Sequence, residues 1–198
     1  MKIYDISQEV FSCEVYPGDP APKREILCAM NEGALYNLTV FSMCAHNGTH
    51  IDAPSHFLKD GATVEEIPLS KTVGIAFVAA HGGEMTAADA RNILWRAEKA
   101  PAGAAKRILL KGNAIVTLAA AEVFAEANID LIGVESQTVG PFDAPMAVHL
   151  ALLKKDVVLL EGVRLHAVSE GAYFLSAAPL MLGGADGAPC RAVLMTLE

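Results

Sequence analysis

Three of the chain's six histidines fall in one short stretch, AHNGTHIDAPSHF at 45–57, together with an aspartate. His46, His50, Asp52 and His56 are spaced by even numbers of residues. A helix is a poor host for them: Gly48 and Pro54 interrupt it, and Asp52 rotates off the face shared by His46 and His50. An extended chain turns alternate side chains to opposite sides, so even spacing sends all four to one side. Imidazoles and a carboxylate converging on one face suit a divalent metal and are what an ordinary core avoids. Cys44, two residues before His46, shares that parity; it is read as a buried thiol rather than a ligand.

One strand leaves a metal shell incomplete, so further ligands must come from elsewhere. His149 opens the helical stretch AVHLALLKK, and Glu161 closes the strand-like DVVLLEG. A helix climbs ~1.5 Å per residue while a strand returns ~3.3 Å per residue, so the two open ends of such a pair meet again. Val157, Leu159 and Glu161 alternate onto one face, where an unpaired carboxylate would be costly and a cation would relieve it. Taken singly, His149 also suits a satisfied helix histidine and Glu161 a solvent-facing strand end. His81 and His166 read as structural.

The elements that must position these groups are readable in outline. At 198 residues the chain suits a single domain spanning 1–198. Hydrophobic residues make up 53% and charged residues 19%, which implies strands buried on both faces or a large oligomer interface. No apolar run is long enough to span a bilayer. The acidic N-terminal stretch lacks the apolar segment of a signal peptide, and four scattered cysteines fit reduced thiols, so the expected location is cytoplasmic. A net charge of −8 argues against nucleic acid or an anionic membrane as partner. Lys2–Ser7, NLTVFSMCAH (the strand that delivers the histidines), KTVGIAFVAAH, RILLK, DLIGVES and DVVLLEG read as strands, as do PLML and the end of the chain. MTAADARNILWRAEK and TLAAAEVFAEANI read as helices, the first with Thr86 as N-cap and Ala90, Ile93, Leu94 and Ala97 as its apolar stripe. Pro145 opens a third. YPGDP at 16–20 is a turn, and GGADG at 183–187 is a tight turn rather than a phosphate loop. The order is not a regular βαβ alternation, and α/β content with an α+β layering is expected, helices lying on one side of stacked sheets.

HNGTHIDAPSHF resembles the H-x-G-T-H-x-D-x-P-x-H signature of the metal-dependent cyclase family, best known from bacterial kynurenine formamidases. The likeness continues through YPGDP, IGVES, the His149–Glu161 pair and PLMLGGADGAPCRAVL. It implies a β/β/α swivelling domain, assembled as a homodimer or homotetramer, with two divalent metal ions per chain, zinc or manganese. In that reading His46, His50 and Asp52 hold one metal, Asp52, His149 and Glu161 hold a second, and His56 is the acid/base. Tyr16 stands where these enzymes usually carry a substrate-contacting tryptophan, and Glu135 where they often carry an aspartate.

The implied activity is metal-dependent hydrolysis of a small-molecule amide. N-formyl arylamines such as N-formylkynurenine, an intermediate of tryptophan catabolism, would give formate and the free amine. Alternatives are hydrolysis of a cyclic, isatin-type amide, a polyketide-type cyclase or lyase, and a non-catalytic metal-binding protein. A free imidazole at His56 has no purpose in a purely structural site.

Overall fold

The computed structural model describes residues 1–197. In chain order the elements are β1 (Ile3–Asp5), β2 (Lys23–Cys28), β3 (Leu38–Ser42), β4 (His50–Asp52), α1 (Leu69–Thr72), β5 (Val73–Ala80), β6 (Gly83–Met85), α2 (Ala87–Glu98) and β7 (Arg107–Lys111). There follow β8 (Ala114–Val116), α3 (Leu118–Glu126), β9 (Leu131–Val134), α4 (Met146–Leu153), β10 (Val158–Glu161), β11 (Gly171–Ser176), β12 (Gly187–Pro189) and β13 (Val193–Met195). No helix among the described residues is long and apolar enough to cross a membrane.

Nine strands form one sheet in the order β1-β13-β11-β5-β7-β9-β10-β4-β12. The middle of the chain is more regular than its composition suggests. β5, β7, β9 and β10 run parallel, joined by crossovers that carry α2, α3 and α4 in turn. Parallel strands covered on both faces read as unbroken apolar runs, which is why VGIAFVAA, ILL and LIGV lack alternation. Alternation is present all the same in which core each residue enters. Phe77, Ala79, Ile108, Leu110, Ile132 and Leu159 pack under the helices. Ala76, Val78, Leu109, Leu131 and Leu160 pack on the opposite side, with Ile51 and Ala188 from one end of the sheet and Leu175 and Leu194 from the other. Strands from both ends thus share one core. The layers expected as stacked sheets are one sheet curled on itself, with the helices on its outer face.

Two strand assignments fail. PLML at 179–182 makes only an isolated bridge from Pro179 to Cys190, because Pro179 cannot donate to a ladder. The strand expected to run from Asn37 to His46 stops at Ser42 and pairs only with β2, as a two-stranded ribbon exposed along its length.

The helix assignments hold closely. Thr86 caps α2, its hydroxyl accepting from Asp89 N at 3.2 Å while Asp89 Oδ2 accepts from Thr86 N at 2.9 Å. Ala90, Ile93, Leu94 and Ala97 are its buried residues. Thr86→Ala removes this reciprocal cap and should cost about 1 kcal/mol. Thermal unfolding should show Tm lower by roughly 2–4 °C, with metal uptake unchanged because α2 bears no site residue.

Candidate metal centre and active site

The site forms where β4 lies antiparallel between β10 and β12. The register sets Glu161 opposite His50 and Leu159 opposite Asp52. Ile51 faces the inner core, so its neighbours His50 and Asp52 face the helix side, where Leu159 also packs.

 Val157 and Leu159 keep Glu161 on that same side, as their alternation requires, and α4 brings His149 down onto it. His149 and Glu161 therefore meet, with Nε2 and Oε1 3.3 Å apart.

The 46–56 segment does not lie on one strand as its even spacing suggests. Only His50 and Asp52 belong to β4. His46 sits in a turn that Asn47 closes, its Oδ1 accepting from Cys44 N at 2.9 Å, and Gly48 takes the left-handed conformation at φ +67° that favours glycine. His56 ends a 3-10 turn, Pro54–His56. Two turns flanking a three-residue strand thus bring the four side chains together. Cys44 is half-buried with Sγ 3.9 Å from Asp19 Oδ2, and it belongs to none of the candidate metal clusters among the described residues.

Hydrogen bonds fix which ring nitrogens face the carboxylates. His50 Nδ1–H donates to the Gly48 carbonyl at 3.0 Å, and His149 Nδ1–H donates to the Pro145 carbonyl at 2.9 Å. With Nδ1 so engaged, each Nε2 is the atom turned toward the carboxylates, and the one that would offer its lone pair to a metal once its proton is displaced. His50 Nε2 lies 3.3 Å from Asp52 Oδ1 and 3.5 Å from Glu161 Oε2, and His149 Nε2 lies 3.6 Å from Asp52 Oδ2. His50 Nε2 and Asp52 Oδ2 are buried without a hydrogen-bond partner. Ligand atoms sharing one tetrahedral zinc at ~2.0–2.2 Å stand roughly 3.3–3.6 Å apart, so this spacing fits cations lodged between them. Three overlapping clusters could hold a metal: His46, His50 and Asp52; Asp52, His149 and Glu161; and His46, His56 and Asp186. Asp52 belongs to two of them.

The electrostatics agree. Asp52 and Glu161 are 1% and 3% exposed, and two carboxylates in so dry a place demand positive charge. Burial acts to lower the pKa of His50 and of His149, but the adjoining Asp52 and Glu161 carboxylates outweigh it and push each up to about 10. Burial raises Asp52, yet His149, His46 and His50 hold it well below the usual carboxylate range.

A cavity of about 290 Å³ opens over the cluster, lined by His46, His50, His56, His149 and Glu161 among others. Tyr16 lines it too; its hydroxyl donates to the Phe142 carbonyl at 2.8 Å and its ring lies 5.0 Å from that of Phe142. All seven expected site residues thus border one space or the ligand cluster beneath it. Sequence reasoning missed Gln137 and Thr138, which line the cavity with buried, unpartnered polar atoms. It also missed Asp186, whose Oδ2 lies 3.0 Å from both His46 Nε2 and His56 Nδ1. The only signal for Asp186 was an acid between glycine and alanine neighbours in GGADG, which reads as a turn. Glu135 stays outside the cavity lining, accepting from Leu165 N at 2.7 Å.

A curled mixed sheet with a His, Asp and Glu cluster at the edge of its parallel strands defines a chain of the Cyclase family. The protein belongs to that family, its residues 4–141 matching it. It is 31% identical to a kynurenine formamidase of Salinibacter ruber over 98% of this chain and 97% of that one. To a kynurenine formamidase of Bacillus anthracis it is 33% identical, over 98% and 97%. The solved structure of a predicted metal-dependent hydrolase from Bacillus stearothermophilus superposes with a TM-score of 0.80 at 30% identity, covering 98% of this chain and 97% of that one. Isatin hydrolase A from Labrenzia aggregata shares the fold, with a TM-score of 0.82 at 22% identity and coverage of 100% and 94%.

Asp52 is common to the His46–His50 cluster and the His149–Glu161 cluster, so its loss should empty both. Asp52→Ala should carry little zinc by elemental analysis, and added zinc should raise its Tm far less than that of the unsubstituted protein, since a metal stabilises only the state that binds it.

Proposed function

We propose that the protein is a metal-dependent amidohydrolase that cleaves an N-formyl arylamine, such as N-formylkynurenine, to formate and the free amine, in tryptophan catabolism. The observation that carries this reading is the buried pair His50 Nε2 and Asp52 Oδ2, both without a hydrogen-bond partner and both aimed among ligand-type atoms. The formamidases to which the chain is similar over almost its whole length support the choice of bond. Two divalent ions, zinc or manganese, would be held by His46, His50 and Asp52 and by Asp52, His149 and Glu161. Bound there, they supply Lewis acidity, which acidifies water and polarises a carbonyl.

The chain's own groups do the rest. Water adds to the formyl carbon, the C–N bond breaks, and the nitrogen departs with a proton delivered by His56. Tyr16 and Phe142 offer an aromatic wall at the cavity for the aryl ring. Among the described residues no lysine or arginine lines the cavity, and Asp19 is its acid outside the ligand cluster, a setting that favours an ammonium group on the substrate's tail over a carboxylate. A cavity of this size suits one ring with short substituents.

The protein acts as a homo-oligomer in this reading. The β2–β3 ribbon exposes Ile26, Leu27, Leu35, Tyr36, Val40 and Phe41, with Leu35 93% exposed. A two-stranded ribbon with bare apolar faces has little stability of its own. So many exposed apolar side chains on one element suit a covered interface better than a solvent-facing surface. An apolar groove of about 950 Å³ at the ribbon's base, lined by Phe11, Phe41, Met43, Leu180 and Pro189, gives a second copy a seat. Ribbon and groove on one chain allow a mutual, two-fold exchange.

Two experiments check these statements. Formate release from formylated anilines should require bound metal, vanishing on prolonged chelation and returning with Zn²⁺ or Mn²⁺; full rates after verified metal removal would contradict the proposal. Light scattering on the eluting protein should give a dimer or tetramer, and Val40→Glu combined with Phe41→Glu should shift it toward monomer. A monomeric unsubstituted protein at micromolar concentration would refute the role given to the ribbon.

A further inference from the structure

One oxygen of Asp186 touches two of the site's rings. Asp186 Oδ2 lies 3.0 Å from His46 Nε2 and 3.0 Å from His56 Nδ1, and the two imidazoles lie with their centroids 4.0 Å apart and their planes tilted by 31°. An ionised carboxylate only accepts hydrogen bonds. With no cation between them, both nitrogens that reach it carry the proton. On His56 this fixes Nδ1–H and leaves Nε2 as the nitrogen free to exchange a proton, in a ring that lines the cavity. On His46 it fixes Nε2–H and leaves the Nδ1 lone pair, which lies 2.9 Å from Asp52 Oδ1, in the cluster the His50 and Asp52 atoms complete.

The backbone that carries this carboxylate is held from both sides. β12 begins one residue after Asp186 and pairs with β4, Gly187 standing opposite Asp52. The Asp186 carbonyl accepts from Ala53 N at 2.9 Å, and the Ala185 carbonyl accepts from Val64 N at 2.9 Å. Gly184 N donates to Glu65 Oε1 at 2.8 Å. The backbone also runs close to the ring it serves: a Cβ at Gly187 would lie 2.7 Å from His46 Cε1. A half-exposed acid in a surface turn needs none of this. Four backbone or side-chain tethers and a single shared oxygen describe a part that sets ring orientation.

We propose that Asp186 is a positioning residue for His56: it selects the Nδ1–H tautomer, orients the ring, and ties the proton carrier to the metal ligand His46 through one oxygen. This inference rests on the proposed function, in which His56 moves the proton to the leaving nitrogen. An effect carried through His56 changes turnover more than substrate binding and disappears once His56 is gone, whereas one carried through His46 shows in the metal content.

The test uses the full-length protein loaded with saturating zinc, with metal content measured on each variant. Asp186→Ala should keep its metal and fold while kcat falls by about 10–100-fold, the usual loss when a partner that orients a site residue is removed. KM should stay within about twofold, because Asp186 acts on the chemical step. Asp186→Glu should recover part of kcat, since a carboxylate can still reach the rings. In His56→Ala, adding Asp186→Ala should cost nothing more. Nitrogen NMR of the histidine rings gives a readout independent of turnover. In mildly alkaline buffer His56 should be the Nδ1–H tautomer in the unsubstituted protein and a mixture in Asp186→Ala. Wild-type kcat in Asp186→Ala beside an impaired His56→Ala would overturn the proposal, as would losses that add in the double variant or an unchanged tautomer. Full activity in His56→Ala would overturn the functional reading itself, and this proposal with it.

Discussion

Two carboxylates, Asp52 and Glu161, are held almost wholly out of water with imidazole nitrogens aimed at them. Isolated charges in such a place cost several kcal/mol each unless something positive sits beside them. That demand shapes the surroundings. It accounts for the inward-turned Nε2 atoms of His50 and His149, for the backbone carbonyls of Gly48 and Pro145 that engage their Nδ1 atoms, and for the unpartnered Oδ2 of Asp52. A hydrophobic core would never gather these groups on its own account. A divalent cation satisfies all of them at once.

The fold supplies rigidity where the charges meet. Four parallel strands under three helices form a buried layer, and β10 delivers Glu161 from it. β4 is only three residues long, yet β10 and β12 clamp it on both edges. Where Glu161 leaves its strand, Gly162 at φ +70° approaches so closely that a Cβ there would lie 2.2 Å from the Gly48 carbonyl oxygen. Thr49 Oγ1 donates to the Gly162 carbonyl at 2.8 Å and accepts from Gln8 N at 2.9 Å. The N-terminal segment, the histidine turn and the end of β10 are thereby fastened at one point.

What could be read from residues alone follows this division. The helices were readable because their signals are local: Thr86 and Asp89 form the cap, and Ala90, Ile93, Leu94 and Ala97 recur at the helical period. The residues that gather at the site were readable because residue type and the His149–Glu161 spacing carry chemistry whatever the backbone does. The backbone of the 46–56 segment was misread because even spacing satisfies a strand and also satisfies two turns around a short strand. Asn47 and Gly48 decide for the turns through a side-chain hydrogen bond and a positive φ, which periodicity does not register. PLML failed for a similar reason, its apolar character arising from surface exposure (Met181 and Leu180 are largely exposed) rather than strand burial. Asp186 was invisible because its partners are 130 and 140 residues away, and only the pairing of β12 with β4 brings it to them.

The arrangement of cations among the three overlapping clusters is the centre of this account. Anomalous diffraction at the zinc absorption edge, from crystals of zinc-loaded protein, measures it directly. The account predicts two peaks on either side of the Asp52 carboxylate, one bounded by His46 and His50 and the other by His149 and Glu161. A peak bounded by His46, His56 and Asp186 would make His56 a ligand and contradict it, as would the absence of any peak beside Asp52.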